Sequence, residues 1–558
     1  MDRIWLPQYP KGVPADIDVN EYASLREVID DSSARYASRP AFSCMGKSIT
    51  FAELDTLSAA FGAWLQSQGC VKGTRVALMM PNILQYPVCL FGTLRAGCTV
   101  VNVNPLYTAR ELEHQLKDSG AEVIVVVENF AHTLEEVIAK TKVRKAIVTS
   151  VGEMLGLKGL IVDFVLRHVK KMVPASNVPD AIRLSAALDE GRKHKLERVP
   201  LGHDDIAFLQ YTGGTTGVAK GAILLHRNIV ANLLQARAWL KPFLDPNQRE
   251  IVITPLPLYH ILSLTANCLT FMTVGGENVL IPNPRDIPGL IAEMGKYRFT
   301  VLTGVNTLFN ALLNNPAFGK LDFSTLRIAL GGGMAVQEAV ALKWKAATGV
   351  PLIEAYGLTE TSPAATINPL DLQQFNGSIG LPISSTEIVL RDDAGKDVAL
   401  GQPGEICIRG PQVMAGYWRH PEETAKVMTA DGFFATGDIG VMDERGFIRI
   451  VDRKKDMILV SGFNVYPNEI EGVVAMHPGV LECAAVGVAD RKSGEAVRLY
   501  VVKKDAALTA DDLMKHCRDH LTGYKIPRDI EFRADLPKSN VGKILRRELR
   551  DEAKKAAA

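Results

Sequence analysis

The sequence lacks the residue spacing that marks a metal site or a disulfide framework. Eight cysteines are scattered through the 558 residues, and none stands in a Cys-x-x-Cys pair. Histidine, cysteine and aspartate do not cluster at metal-ligand spacing either. These absences exclude a zinc site of the usual kind and favour a reducing compartment.

The chain also lacks net charge and long apolar runs. Lys and Arg total 63 against 62 Asp and Glu, a formal net charge of +1, so composition does not favour a nucleic-acid partner. The N-terminal segment MDRIWLPQYPKGVPAD has no apolar signal-peptide region, and Arg95 and Asp163 interrupt the longest apolar stretches. We therefore expect a cytoplasmic protein without a nucleic-acid partner.

The length and the hydrophobic pattern predict several α/β units. At about 150 residues per domain, the chain is long enough for three or four. The runs RVALMM and EVIVVV are typical of buried strands, and the amphipathic segment ARELEHQLKDSG lies between them. Thr108 and Glu111 have the spacing of a capping box, which predicts the start of that helix. Strand, helix and strand in this order predict a parallel sheet.

Later segments predict a crevice, a small β subdomain and a separate C-terminal domain. The runs EIVITPLPLYH, FTVLTGV and LRIALGGG each end in proline, glycine or a polar turn, where doubly wound sheets bind ligands. Residues 385–450 have the short alternating strands of a β subdomain. After a charged break at 452–455, strands and helices alternate around a smaller core. We predict an N-terminal α/β domain of doubly wound sheets at residues 1–452 and a mobile α+β domain at 453–558.

A loop rich in glycine and threonine follows the apolar run IAFLQY. Its glycines can adopt positive φ and let backbone N–H groups converge on an anion, while its hydroxyls and a lysine add donors and charge. A surface turn seldom needs all of these groups together, so we predict a phosphate-binding loop. Its candidate ligands are Thr212, Gly213, Gly214, Thr215, Thr216, Gly217 and Lys220.

The loop is not a Walker motif, because Ala219 precedes Lys220 and Gly221 follows it, and no dinucleotide-binding GxGxxG is present. The segment YTGGTTGVAKG instead resembles the loop of the adenylate-forming acyl-CoA synthetases, the ANL superfamily. The resemblance extends from WLPQYP to LRDEA, and later motifs narrow it to the bacterial long-chain fatty acid–CoA ligases.

The second motif is YGLTETSP, which follows a run of three glycines. Tyr356 can provide one face of an adenine slot, and Glu360 provides the carboxylate that Mg²⁺ requires. Thr359 can donate to a phosphate. The segment alone is equally typical of a loop with a capping threonine, and its similarity to the family motif favours the site. We add four glycines to the predicted ATP-binding residues: Gly331, Gly332, Gly333 and Gly357. The predicted metal ligands are Thr215 and Glu360.

The third and fourth motifs take their roles from the resemblance. In TGDIG, the family's aspartate that matches Asp438 binds both ribose hydroxyls with help from Arg453. The family's usual upstream tryptophan is replaced here by Phe433, which keeps an aromatic ring. In PKSNVGKILRREL, the lysine that matches Lys543 acts on the α-phosphate, and Gly542 favours a turn that aims it.

The resemblance also implies a hinge and an acyl pocket. The small domain of the family rotates about a residue that matches Lys455, bringing Gly462 and Phe463 to the coenzyme A side. The residue that matches His260 gates the acyl pocket, although a lone histidine is more often a core residue and a catalytic base is a further alternative. The uncharged runs 259–269 and 302–312 predict the alkyl slot. Its candidate residues are Tyr259, His260, Gly304 and Val305.

Residues 157–174 contain apolar side chains at helical spacing beside five basic or potentially basic groups. We predict a helix whose apolar face points into the protein core. The alternative is a helix that lies on an anionic membrane surface.

Together the resemblance implies ATP-dependent activation of a fatty acid and its transfer to coenzyme A, with Mg²⁺ as cofactor. A medium-chain or aryl acid–CoA ligase and a carrier-protein-loading ligase are alternatives within this chemistry. A lipid- or nucleotide-binding protein without turnover and an ADP-releasing phosphotransferase are alternatives outside it. Peripheral contact with the inner membrane and a homodimer are left open.

Overall fold

The computed structural model describes residues 3–212, 219–245, 248–490 and 492–557, and in these ranges the strands form four sheets. The predicted α/β class with mixed sheets is confirmed. The helices are α1 (Leu25–Arg35), α2 (Phe51–Ser67), α3 (Gln85–Arg95), α4 (Ala109–Ser119), α5 (Ala131–Glu135), α6 (Leu157–Phe164), α7 (Leu184–Gly191), α8 (His226–Leu240), α9 (Ile261–Ser263), α10 (Thr270–Met272), α11 (Ile287–Met294), α12 (Asn306–Leu313), α13 (Glu338–Thr348), α14 (Pro421–Val427), α15 (Pro467–Ala475), α16 (Ala510–His520) and α17 (Arg546–Ala557). Two π-helical turns span Val165–Val169 and Leu264–Leu269.

The first sheet has eight strands. In spatial order they are β19 (Gly416–Tyr417), β9 (Lys220–Leu225), β8 (Ile206–Thr212), β4 (Thr99–Asn102), β3 (Arg75–Met79), β5 (Val123–Val127), β6 (Lys145–Thr149) and β7 (Ile182–Arg183). The strands from β8 to β7 pair in parallel, whereas β9 and β19 are antiparallel. The predicted phosphate loop therefore connects two antiparallel strands, β8 and β9.

The second sheet has nine strands. In spatial order they are β16 (Leu381–Pro382), β15 (Ala364–Ile367), β14 (Leu352–Gly357), β13 (Ile328–Gly331), β12 (Val301–Gly304), β10 (Ile251–Thr254), β11 (Glu277–Leu280), β1 (Pro40–Cys44) and β2 (Lys47–Thr50). The strands from β14 to β1 are parallel. Their carboxyl ends share one edge, as the sequence predicts.

Two smaller sheets complete the described part of the chain. The third sheet is antiparallel and consists of β17 (Glu387–Arg391), β18 (Gly404–Arg409), β20 (Phe434–Met442) and β21 (Ile448–Arg453). The fourth consists of β23 (Phe463–Val465), β22 (Ile458–Val460), β25 (Gly494–Lys503), β24 (Val480–Asp490) and β26 (Asp529–Arg533). The fourth sheet packs with α15 and α16 around a core of its own.

The main core lies between the first and second sheets, where α2 and α3 are buried. The two helices approach closely because Gly92 of α3 faces the backbone of α2. A Cβ atom at Gly92 would lie 2.7 Å from the Ser58 carbonyl oxygen. The predicted start of α4 is also confirmed, since Thr108 and Glu111 form a reciprocal capping box.

The prediction that the apolar face of residues 157–174 points into the core is wrong. This face is exposed, with relative exposures from 53% at Met172 to 86% at Leu157. The buried residues of α6 are Gly159 and Asp163, and Asp163 accepts hydrogen bonds from Ser150 Oγ and the Gly152 amide at 2.6 and 2.8 Å. The helix therefore contacts the domain through Gly159 and Asp163, with Val162 partly buried against the main core. We call its outward side chains the apolar patch: Leu157, Leu160, Ile161, Phe164, Val169 and Met172.

The described part of the chain has no helix that is long and apolar enough to cross a membrane. The apolar patch extends from α6, a helix of eight residues, through the π-helical turn that follows it to Met172.

Candidate active site

A cavity of about 1210 Å³ lies where the carboxyl ends of the parallel strands meet the third and fourth sheets. Most of the predicted site residues that the structure describes line it. They are Thr212, Lys220, Tyr259, His260, Val305, Gly333, Tyr356, Gly357, Thr359, Glu360, Asp438, Arg453, Lys455 and Lys543. The predicted loop residues Gly213, Gly214, Thr215, Thr216 and Gly217 lie outside the described residues.

The predicted adenine and ribose residues contact each other directly. The Tyr356 hydroxyl donates to Asp438 Oδ2 at 2.7 Å, and Arg453 Nε lies 3.3 Å from Asp438 Oδ1. Pairing of β20 with β21 sets Asp438 opposite Arg453. Burial raises the pKa of Tyr356, so its hydroxyl remains a donor. An aromatic ring, a carboxylate and a guanidinium thus form one wall, which suits a nucleoside.

Glu360 lies on a short 3₁₀ turn at 359–361 and is buried. Its Oε1 accepts a hydrogen bond of 2.7 Å from the Tyr417 hydroxyl, and burial raises the pKa of the Glu360 carboxyl. A buried carboxylate that lines the cavity fits Mg²⁺, which usually takes one or two protein carboxylates with substrate phosphates.

Tyr417 and Glu423 were not predicted from the sequence. Lys220 forms an ion pair with Glu423 of α14, and its Nζ lies 5.4 Å from the centre of the Tyr417 ring. Pairing of β19 with β9 sets Tyr417 opposite Ala222 and so brings this segment close to Lys220. The only signal in the sequence is an aromatic residue followed by acidic residues in GYWRHPEE, which does not reveal the partner strand.

Lys543 is half-buried and lines the cavity from a tight turn. Gly542 has a φ of 81°, a conformation that glycine adopts without strain. Burial first and the nearby Arg453 guanidinium second lower the pKa of Lys543 to about 7. The turn also contacts the large domain, because Thr307 Oγ1 donates to the Gly542 carbonyl at 2.8 Å. The predicted lysine thus lies at the same cavity as Asp438 and Arg453.

The predicted acyl slot is an uncharged part of this cavity. His260 Nδ1 accepts a hydrogen bond from the Leu262 amide at 3.3 Å, and burial lowers the pKa of His260 to about 4. The imidazole is therefore neutral at pH 7. The cavity also has apolar lining residues that sequence analysis missed, because they come from separate strands and helices: Trp239, Leu240, Phe271, Val301, Ile328 and Leu330.

Five predicted residues do not line the cavity. Gly304 and Gly331 lie behind its wall, where a Cβ atom would lie 2.9 Å from the Phe309 ring and 2.7 Å from Val336. Gly332 donates its amide to the Gly304 carbonyl at 3.1 Å. Gly462 and Phe463 form an exposed turn of the fourth sheet, with Phe463 stacked on Tyr524.

The predicted hinge lies between two sets of ion pairs. Lys454 pairs with Asp393 at 2.7 Å, and Asp456 pairs with Arg550 of α17. Lys455 between them is exposed, and partial burial of its ammonium lowers its pKa to about 8. Lys455 lines the cavity together with Arg453, Lys454 and Asp456.

Comparison with known proteins identifies the family to which this chain belongs. A model of the AMP-binding enzyme family matches residues 29–418, and a model of the AMP-binding enzyme C-terminal domain matches residues 469–543. The chain therefore belongs to the AMP-binding enzymes, and the resemblance seen in its motifs is confirmed. A long-chain-fatty-acid–CoA ligase of Yersinia pestis is 60% identical over 99% of this chain and 98% of its own.

Solved structures show the same fold. An anthranilate CoA ligase in complex with anthranoyl-AMP superposes with a TM-score of 0.85 at 24% identity, covering 97% of this chain and 100% of its own. ATP-bound MatB from Rhodopseudomonas palustris superposes with a TM-score of 0.78 at 28% identity, covering 96% of this chain and 100% of its own.

Proposed function

We propose that this chain is a long-chain fatty acid–CoA ligase that works in two steps. The fatty acid carboxylate attacks the α-phosphate of ATP, which releases pyrophosphate and forms an acyl-adenylate. The thiol of coenzyme A then displaces AMP and gives acyl-CoA. The observation that carries this proposal is the 60% identity, over nearly the full length of both chains, to a ligase of that name. The cavity supports it, since a polar nucleotide wall and an uncharged slot are continuous.

In the first step, the residues of the cavity bind and orient two anions. Tyr356 and Asp438 hold the nucleoside, while Lys220 and Thr212 contact the outer phosphates together with the loop at 213–217. Lys543 stabilises the negative charge that develops at the α-phosphate, which is where a preorganised cation contributes most to the rate. Neutral His260 lies beside the acyl slot, where it can contact the carboxylate without drawing it away from the phosphorus.

Glu360 is proposed to hold Mg²⁺ together with the phosphates of ATP. When bound, the metal would neutralise phosphate charge and favour loss of pyrophosphate. Tyr417 orients the Glu360 carboxylate by its hydrogen bond. Glu360→Gln should raise the Mg²⁺ concentration needed for half-maximal activity. An unchanged metal titration would remove Glu360 from the site.

The proposed domains are residues 1–452 and 453–558, with Lys455 as the hinge. The ion pair between Arg546 and buried Asp452, at 3.1 Å, links α17 to the end of β21 in the present arrangement. The second step needs an open path for the thiol of coenzyme A. We propose that rotation of the small domain removes Lys543 and brings Gly462 and Phe463 to the cavity.

We also propose that the protein is cytoplasmic and contacts the inner membrane through the apolar patch. Lys170 and Lys171 are exposed next to the patch, and each basic residue near an anionic surface contributes about 1 kcal/mol. Apolar side chains flanked by lysines are the usual composition of a helix that lies in a lipid interface. Such contact would give the enzyme direct access to a substrate that dissolves in lipid.

The function is tested with a series of carboxylic acids, ATP and coenzyme A, with pyrophosphate and nucleotide products followed separately. Long-chain acids should give the highest kcat/KM, together with equal amounts of AMP and acyl-CoA. Preference for octanoate or an aryl acid would favour the corresponding ligase. Release of ADP would indicate a phosphotransferase, and absence of coenzyme A dependence would favour a carrier-protein-loading enzyme.

A further inference from the structure

Helix α12 contacts both the acyl slot and the C-terminal domain. Val305, Asn306, Thr307 and Asn310, at its N-terminal end, line the cavity. Two of these side chains, three residues apart and therefore on one helix face, donate hydrogen bonds to backbone carbonyls beyond residue 453. Thr307 Oγ1 donates to Gly542 at 2.8 Å, and Asn310 Nδ2 donates to Leu481 at 2.9 Å.

The bond from Thr307 fixes the peptide that precedes Lys543. That peptide is planar, and both of its polar groups are engaged. Its carbonyl accepts from Thr307, and its N–H donates to Ser539 Oγ at 3.2 Å. The turn is also closed internally, since the Ser539 amide donates to the Lys543 carbonyl at 2.7 Å. The position of the Lys543 Cα atom relative to the cavity therefore depends on Thr307.

The side of α12 that provides these donors is itself well anchored. Asn306 exchanges two hydrogen bonds with Gln337, from its Nδ2 to Oε1 at 3.1 Å and from the Gln337 amide to its Oδ1 at 3.0 Å. Asn314 donates to Asn310 Oδ1 at 3.0 Å, which turns the Asn310 amide nitrogen toward Leu481. The donors are thus held in place from within the large domain.

We propose that Thr307 is a positioning residue for the adenylation step, which aligns Lys543 by holding the Gly542 carbonyl. This inference rests on the proposed function, in which Lys543 serves the first step and leaves the cavity for the second. Gly542 is needed for the same contact, because a Cβ atom there would lie 2.9 Å from Thr307 Oγ1. Residues of α12 would then connect the acyl slot, which they line, with the position of the small domain.

The test separates the two half-reactions. Thr307→Val removes the donor and keeps the shape of the side chain, whereas Thr307→Ser keeps the donor. With palmitate, Thr307→Val should lower the rate of acid-dependent ATP–pyrophosphate exchange about tenfold, since a misplaced catalytic group costs roughly this much or more. Thioester formation from chemically prepared palmitoyl-adenylate and coenzyme A should stay within about twofold of wild type. Thr307→Ser should recover most of the exchange rate.

Thr325→Val is the matched control, because Thr325 Oγ1 donates to the Phe299 carbonyl within the large domain. Thr325→Val should leave the ratio of the two half-reaction rates at its wild-type value. A second readout needs no activity: trypsin should cleave Thr307→Val faster than wild type at residues 453–455, because the small domain is held less firmly.

Unchanged exchange and cleavage in Thr307→Val would overturn the proposal, as would an equal fall in both half-reactions. If the proposed function itself is wrong, the assays give a different result. Wild type would then show no palmitate-dependent exchange, and the cleavage assay alone would decide whether Thr307 holds the small domain. A Lys543→Ala variant with full exchange would remove Lys543 from the first step, while cleavage would again decide on Thr307.

Discussion

At the scale of single residues, Lys543 carries a charge that depends on pH near neutrality. Burial lowers its pKa to about 7, and a lysine is charged below its pKa, so the free enzyme loses this cation as the pH rises through about 7. Bound ATP adds negative charge, which moves the pKa upward. We therefore expect kcat/KM for ATP to fall above about pH 7 and kcat to fall only at higher pH, since the two report the free and the bound enzyme.

The measurement is initial-rate pyrophosphate release over a range of pH. Lys543→Ala should lose about 10²- to 10³-fold in rate and should also lose the alkaline fall of kcat/KM near neutral pH. A variant that folds normally and keeps the wild-type pH profile would show that another group controls it.

Lys220 is paired with Glu423, so Glu423 should compete with the phosphates of ATP in the proposed function. Its hydrogen bond with Lys220 lowers the pKa of Glu423 to about 2, so the carboxylate stays charged at neutral pH. Glu423→Gln should lower KM for ATP about two- to fivefold, the modest effect expected when one partly exposed ion pair is removed. The neighbouring exposed residue supplies the control, because Glu422→Gln should leave KM unchanged. A raised KM in Glu423→Gln would mean that Glu423 assists nucleotide binding.

The residues of the site were predictable where one short motif contains the chemistry. Tyr356 and Glu360 lie in one segment, and Asp438 and Arg453 follow in another, so the resemblance of these segments to the family motifs was enough to predict their roles. Tyr417 was missed because its contact with Glu360 joins residues 57 positions apart. The pKa values of Lys543 and His260 also depend on burial by distant elements, which no local pattern contains.

At the scale of elements, α6 presents apolar side chains to solvent and should control binding to lipid. Burial of a leucine or phenylalanine side chain contributes about 1.5–3 kcal/mol, so Leu160→Ser with Phe164→Ser should weaken binding to anionic phospholipid vesicles at least tenfold. Flotation of the protein with vesicles measures this. Leu342→Ser is the control, since Leu342 is 58% exposed on α13.

If the double variant and the Leu342 variant float equally well, the apolar patch does not bind lipid. Charge reversal at Lys170 and Lys171 should reduce binding to anionic vesicles and leave binding to neutral vesicles unchanged. Equal binding of the wild type to both kinds of vesicle would assign the whole contact to the apolar side chains.

Helices and strands were predictable in position but not always in orientation. The capping residues of α4 and the parallel strands β3 and β5 followed from local patterns, because caps and short apolar runs are local features of the sequence. The orientation of α6 did not follow, because an amphipathic pattern shows only that the apolar side chains share one face of the helix. The same pattern fits a protein core and a lipid interface, and the decisive contacts are those of Gly159 and Asp163.

At the scale of the whole molecule, Lys455 should control the rotation between the two steps. Proline fixes φ near −65° and restricts the preceding residue, so Lys455→Pro should block rotation without altering the nucleotide pocket. We expect pyrophosphate exchange to continue, thioester formation to stop and acyl-adenylate to accumulate, which rapid quenching and chromatography would detect. Lys455→Ala keeps backbone freedom and should retain both steps.

Loss of both half-reactions in Lys455→Pro, or of neither, would require another pivot. A large domain followed by a smaller one was predictable from the sequence, and the boundary at 452–455 stays a prediction. The way in which they meet was not, since it depends on side chains such as Thr307 and Arg546 whose partners lie far away in the chain.

The docking of α6 has a consequence for how such a protein can evolve. Gly159 fits against the Gly152 carbonyl with no space for a larger side chain, and the Asp163 carboxylate is fully engaged. These inward positions tolerate little change, whereas the outward ones contribute little to folding. Selection can therefore adjust the outward side chains one at a time, so a lineage that moves from lipid-borne to water-soluble acids can shed them while keeping its catalytic domain intact.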